Sequence, residues 1–399
     1  MLKKLARQIG TGGAIISPLA KKLVMQVLDS GRLSYGPFLK KFEQEFAHLH
    51  ARQFAISANS GTSALLVAVQ ALKELGNWQD GDEILVPAIT FIATSNVILQ
   101  NRLKPVFVDV DLRTYNIDPA DIEKRITSRT RALMPVHLFG LSAEMREIMR
   151  IARTHKLRVI EDSCETTGVA YRGRPVGSMG DIACFSTYIA HLINTGVGGM
   201  ALTNDPKLAV KMRSLVNHGR DAIYIAPDDD RNRKGKLLKE VMDRRFSFVN
   251  VGHSFRLTEM EGALGLAELK TLSKNIKLRQ RYAARLHRGI EPYAEFLQLP
   301  LIPPHTEHAF MMFPILVRDS RISRDDLTFH LEQWNIETRP IFPILNQPIY
   351  QKLFGNLEPK YPIASKLMRD GFFIGCHTEM THDDVEYVLD VFKEFFSRV

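Results

Sequence analysis

Arg158-Val-Ile-Glu-Asp162 closes a short apolar run on two carboxylates, and Ser163-Cys-Glu165 follows at once. A strand buried on both faces reads as such a run. A carboxylate at its carboxyl end stands where open α/β sheets bind ligands. Three earlier apolar runs resemble it, of which the second also ends on a carboxylate: Glu83-Ile-Leu-Val-Pro87, Pro105-Val-Phe-Val-Asp109 and Ala132-Leu-Met-Pro-Val136. Helix-like segments alternate with them at Thr62 to Leu75, Thr94 to Asn101 and Glu144 to His155. This alternation predicts an α/β fold around a mostly parallel central sheet. Downstream, a long helical stretch from Leu257 to Glu291 leads into a C-terminal α+β part. That part offers a strand near Phe310 to Val317 and helices near Arg324 to Gln333 and His382 to Ser397. The expected division is an N-terminal arm (1–20), a large domain (21–265) and a smaller C-terminal domain (266–399).

The chain has 399 residues, 45% hydrophobic and 24% charged, normal for a soluble globular enzyme. The first twenty-odd residues are basic, but their longest apolar run is Ala14 to Ile16. That is far too short for a signal peptide or a membrane span, so a cytoplasmic protein is expected. Net charge is +9, spread along the chain. The densest basic stretch, from Arg231 to Lys239, follows Asp228-Asp-Asp and reads as a solvated loop and short helix. A small polyanion such as a nucleotide diphosphate suits this charge better than nucleic acid does. Cys164, Cys184 and Cys376 lie far apart, which argues against a disulfide framework or a local metal or iron–sulfur site.

In Ser60-Gly61-Thr62-Ser-Ala-Leu65, small residues lead straight into an apolar helix. Free N–H groups at a helix start bind anions, and glycine lets a phosphate come close. The same residues also suit a plain strand-to-helix turn. Asp162 can pair with a protonated ring nitrogen, as a pyridinium cofactor requires, or serve as a helix cap or structural ion pair. His137 reads more readily as a strand-end core histidine than as a site residue.

Gly180-Asp-Ile-Ala-Cys-Phe-Ser186-Thr-Tyr-Ile-Ala-His191, followed by Gly196-Val-Gly-Gly-Met200, completes a pattern. The whole resembles the sugar aminotransferase/dehydratase branch of fold-type I pyridoxal phosphate (PLP) enzymes, the DegT or StrS family. The resemblance runs from Ser30-Gly-Arg-Leu-Ser-Tyr-Gly-Pro37 to Ile336-Glu-Thr-Arg339-Pro340. It implies that Gly61, Thr62 and Ser186 hold the cofactor phosphate, that Phe91 stacks on its ring and that Asp162 meets the ring nitrogen. Glu165, one turn on, is a candidate for the ring hydroxyl. Gly252-His-Ser254-Phe-Arg-Leu-Thr-Glu259 resembles the segment that reaches the neighbouring subunit's site, with Ser254 where many relatives carry an asparagine. The resemblance therefore also implies a homodimer. His218 and Arg220 are candidates for the substrate or for the subunit interface, and Arg339 for the substrate or equally for the carboxylate of glutamate.

His191 stands where the family keeps its Schiff-base lysine, and no lysine occurs from Gly180 to Asp205. A histidine can move protons near neutrality but cannot anchor the cofactor covalently. This exchange resembles the nucleotide-sugar 3-dehydratases. It implies pyridoxamine phosphate (PMP), held noncovalently, a nucleotide-linked 4-keto-6-deoxyhexose as substrate, His191 as base and loss of the C3 hydroxyl. The cluster-free subtype, recharged by glutamate, is expected because the cysteines are scattered. The stretch Ile336 to Tyr350 looks more like the aminotransferases. Amination of a keto sugar is therefore the runner-up, and a catalytically silent relative the third reading.

Overall fold

The computed structural model describes residues 2–222 and 232–399. Asp228-Asp-Asp and Arg231 fall outside the described residues. Seven strands build the main sheet: β1 (Phe54–Ala58), β2 (Glu83–Pro87), β3 (Lys104–Val108), β4 (Thr130–Leu133), β5 (Arg158–Asp162), β6 (Ile182–Ser186) and β7 (Gly199–Thr203). Their order is β1-β7-β6-β5-β4-β2-β3. The β6-β5-β4-β2-β3 block is parallel throughout. Only β7 runs against its neighbours, pairing Gly199 with both Ala58 and Ser186. Every residue of β2, β6 and β7 is buried, as expected of strands covered on both faces.

The helix that follows β1 starts from an explicit side-chain cap. α3 (Gly61–Leu75) is opened by Ser60, whose Oγ accepts the Ser63 N–H at 3.0 Å. α4 (Ala93–Gln100) follows β2, and α5 (Met145–Thr154) precedes β5. Two amphipathic helices that the sequence reading did not single out, α1 (Pro18–Ser30) and α2 (Pro37–Leu49), begin with proline at the first turn. The buried Glu259 carboxylate caps α2 from a distance, accepting the N–H groups of Gly36 (2.6 Å), Phe38 (2.9 Å) and Leu39 (3.0 Å). A negative charge there also meets the positive end of the helix dipole. This contact ties the Gly36-Pro37 and Leu257-Thr-Glu259 motifs into one structure.

The charged stretch from Arg220 to Phe246 contains a helix, α6 (Gly235–Arg244). One helix, α7 (Glu259–Ile290), continues unbroken across residue 265, opened by a Thr258/Glu261 capping box. The C-terminal part packs α8 (Arg324–Gln333) and α9 (His382–Phe396) against a four-stranded antiparallel sheet. Its strands are β8 (Leu297–Gln298), β9 (Met312–Val317), β10 (Thr338–Pro340) and β11 (Gly371–Gly375), in the order β8-β9-β11-β10. Ile9, from the N-terminal arm, is buried in that second core. Among the described residues, no helix is long and apolar enough to cross a membrane.

Candidate active site

The carboxyl ends of β1, β2, β5 and β6 face one cavity of about 420 Å³. Gly61, Thr62, Phe91, Asp162, Glu165, Ser186 and His191 all line it.

The turn into α3 forms one end. The N–H groups of Gly61 and Thr62 open the helix, where no preceding turn supplies a carbonyl partner. A Cβ on Gly61 would lie 2.8 Å from Ser186 Cβ and 2.9 Å from Cys164 Sγ. Glycine is therefore what lets the turn settle against β6. Gly61→Ala is expected to destabilise the protein by about 1–3 kcal/mol through overpacking, seen as a lower Tm. The same variant should weaken cofactor phosphate binding, measured by titration.

Asp162 closes β5 and is 3% exposed. Its Oδ2 accepts from Thr94 Oγ1 at 2.8 Å and its Oδ1 from the Cys164 N–H at 3.2 Å. Burial pushes the carboxyl above its ordinary range, against the pull of these bonds. A cationic ring nitrogen brought alongside would reverse that push. Glu165 is pushed up to about 8 by burial, opposed by one N–H bond from Phe139 at 2.8 Å. It is therefore a neutral acid near pH 7, able to donate a hydrogen bond. Phe91 is 59% exposed, an unusual state for a phenylalanine, and meets Phe342 edge-on at 6.3 Å.

His191 lies on the connection between β6 and β7, its backbone N–H on the Tyr188 carbonyl at 2.9 Å. Burial lowers its imidazole to about 4, so the ring is a free base at neutral pH. Its Nδ1 is buried and has no hydrogen-bond partner among the described residues. Such an atom is costly unless a ligand completes it. The donors at Gly61 and Thr62, the uncompensated Asp162, the bare Phe91 face and this nitrogen together fit a phosphorylated pyridinium.

The other candidates fall elsewhere. Arg339, on β10, lines an adjoining cavity of about 400 Å³ that shares Thr90, Phe91, Met312 and Phe342 with the first. His218 is exposed, with φ 62°, outside both cavities. Arg220 donates to the Arg245 carbonyl at 2.9 Å and lies over the rings of Phe246 and Phe248. Ser254 accepts from Arg256 Nη2 at 2.9 Å and also lines neither cavity. His137 is fully buried behind β5, bonded to Glu161 at 3.1 Å and to the Ala143 N–H at 3.0 Å. Sequence reasoning missed Thr90 and Thr94, which link to Asp162 through one hydroxyl chain. It also missed the walls supplied by Met311, Met312 and Phe342.

Residues 15–393 match the DegT/DnrJ/EryC1/StrS aminotransferase family. The chain is 34% identical to the GDP-perosamine synthase of Caulobacter vibrioides, over 92% of each chain. It is 32% identical to the dTDP-4-dehydro-2,6-dideoxy-D-glucose 3-dehydratase of Saccharopolyspora spinosa, over 98% of this chain and 87% of that one. The solved GDP-4-keto-6-deoxy-D-mannose-3-dehydratase of E. coli, with bound hydrated PLP, superposes with a TM-score of 0.87 at 27% identity. That likeness covers 98% of this chain and all of the other. The fold is thus that of the fold-type I PLP enzymes, and the chain belongs to the DegT/DnrJ/EryC1/StrS aminotransferase family.

Proposed function

We propose that this chain is a nucleotide-sugar 3-dehydratase that removes the C3 hydroxyl of a nucleotide-linked 4-keto-6-deoxyhexose. The observation that carries the reading is His191: a free base on the cavity wall, with an open Nδ1, where the family keeps a lysine. The cofactor is pyridoxal/pyridoxamine 5′-phosphate. It supplies an amine that takes up a ketone and a pyridinium ring that accepts electrons.

Gly61, Thr62 and Ser186 hold its phosphate, Phe91 covers its ring and Asp162 keeps the ring nitrogen protonated. His191 takes a proton at the reacting carbon and returns it to the departing hydroxyl. Glu165, protonated below about pH 8, donates a hydrogen bond within the same cavity. Arg339 takes the carboxylate of the amino donor, glutamate, which recharges the cofactor. Dehydratases among the relatives support this reading. The protein works in the cytoplasm as a homodimer, with Ser254 reaching the partner's site.

Amination of the same keto sugar is the second reading, favoured by the perosamine synthase likeness. The test supplies PMP, glutamate and a panel of nucleotide-linked 4-keto sugars, with products read by mass. Dehydration gives a keto sugar one oxygen atom lighter, with ammonia released, and amination gives an amino sugar. In parallel, His191→Lys is expected to gain a borohydride-reducible lysine–cofactor link and to lose dehydration. A reducible lysine adduct in the unaltered enzyme would sink the noncovalent reading.

A further inference from the structure

Residues 9–13 run as a strap between the C-terminal sheet and the His191 connection. Ile9 forms a parallel bridge with Ile336, its N–H on the Asn335 carbonyl (2.8 Å) and its carbonyl on the Glu337 N–H (2.9 Å). His377 Nε2 bonds the Gly10 carbonyl at 2.9 Å. Thr11 then gives both its N–H (2.8 Å) and its hydroxyl (3.3 Å) to Oε2 of Glu337. The other oxygen of Glu337 takes Nη2 of Arg339. A Cβ on Gly12 would stand 3.3 Å from the Cα of Ala190, the residue before His191. Thr11 and Arg339 line the same cavity, and Phe91 lines both it and the cavity that holds His191.

We propose that this strap is a fixed wall of the site and that Thr11 and Glu337 are positioning residues for Arg339, which grips the carboxylate of the amino donor. Among the described residues, Arg339 makes one side-chain hydrogen bond, through Nη2. Nη2 has a second N–H, and the edge it shares with its neighbour on that side remains for a planar acceptor, the arrangement that bidentate carboxylate binding uses. A loose arginine loses rotamer freedom when it grips a ligand. Glu337 removes that freedom beforehand, and Thr11 in turn fixes Glu337. One carboxylate thereby couples the N-terminal arm to the donor subsite. This role rests on glutamate as the amino donor.

Two measurements test it. The first titrates glutarate, an unreactive dicarboxylate, into the protein by calorimetry. The second follows the exchange of the amino group of L-glutamate for the aldehyde oxygen of bound PLP, giving 2-oxoglutarate and PMP, by absorbance. Glu337→Gln is expected to raise the glutarate Kd and the half-saturating glutamate concentration about tenfold, the scale of one charge-assisted hydrogen bond. The limiting rate should stay within about twofold, the mark of lost binding and not of lost chemistry. Thr11→Val should follow in the same direction, and Thr11→Ser should restore the original values. Unchanged affinity in both variants overturns the role. So does a joint fall of rate and affinity that serine does not rescue, which is the mark of a structural strap. An unaltered enzyme that neither reacts with glutamate nor binds glutarate removes the donor reading, and the role with it.

Discussion

Replacing His191 by asparagine is expected to lower turnover by about 10²- to 10⁴-fold, the contribution of a positioned acid–base group. Cofactor binding should change little, since histidine makes no covalent link to lose. The measurement pairs kcat with PMP affinity from a fluorescence titration. Loss of both together would place His191 among the binding groups instead. The pH dependence follows from two buried groups. His191 is held down to about 4, so its free base is present above that value and is lost as pH falls through it. Glu165 is held up to about 8, so its proton is present below that value and is lost as pH rises through it. The competent pair of states therefore spans about pH 4 to about pH 8. Removing the acidic group, as in Glu165→Gln, should abolish the alkaline limb and leave the acid limb in place.

Asp162→Asn is expected to weaken PMP by roughly 10²- to 10³-fold, because truncating one member of a buried charge pair costs about 2–5 kcal/mol. An enzyme with a lysine link would mask much of this loss, whereas under the proposed noncovalent attachment these contacts carry all of the binding. The side chain also has local duties, since it accepts from both Thr94 and the Cys164 N–H. The asparagine oxygen can serve as acceptor, but its amide nitrogen cannot. Comparing Tm of the cofactor-free variant with that of the unaltered protein separates this local cost from the binding loss. An unchanged PMP affinity would remove Asp162 from the ring-nitrogen position.

The layered sheet was legible in the sequence because its central strands are buried on both faces and so appear as apolar runs. Arg158–Asp162 and Glu83–Pro87 were placed to the residue. The helix expected near Arg324 to Gln333 is also observed there, opened by Ser323. The antiparallel course of β7 was not legible, since Gly199-Met-Ala-Leu-Thr203 carries no sign of its direction. At the site, Gly61 and Asp162 stood out by their chemistry near strand ends, and Ser186 and His191 by the family resemblance; all four line the one cavity. Met311, Met312 and Phe342 did not stand out, because an apolar wall and an apolar core look alike in one dimension. His218 and Arg220, singled out at the start of the charged loop, lie outside the two cavities. Arg220 turns toward the Arg245 carbonyl and two aromatic rings. The strap had a faint signature in Gly10, Gly12 and Gly13, which together suit a chain passing close to other backbone.

The antiparallel strand has an evolutionary consequence. Because β7 reverses against β6, His191 is carried on a connection within a local strand pair, not on a crossover that spans the sheet. Register is fixed by Ile182–Ser186 against Gly199–Thr203, on either side of the reactive residue. Residue 191 belongs to neither strand, so exchanging lysine for histidine there alters no strand pairing of the main sheet. Chemistry at this position is thus largely uncoupled from foldability, so a lineage can sample new reactions on it at little risk to the scaffold.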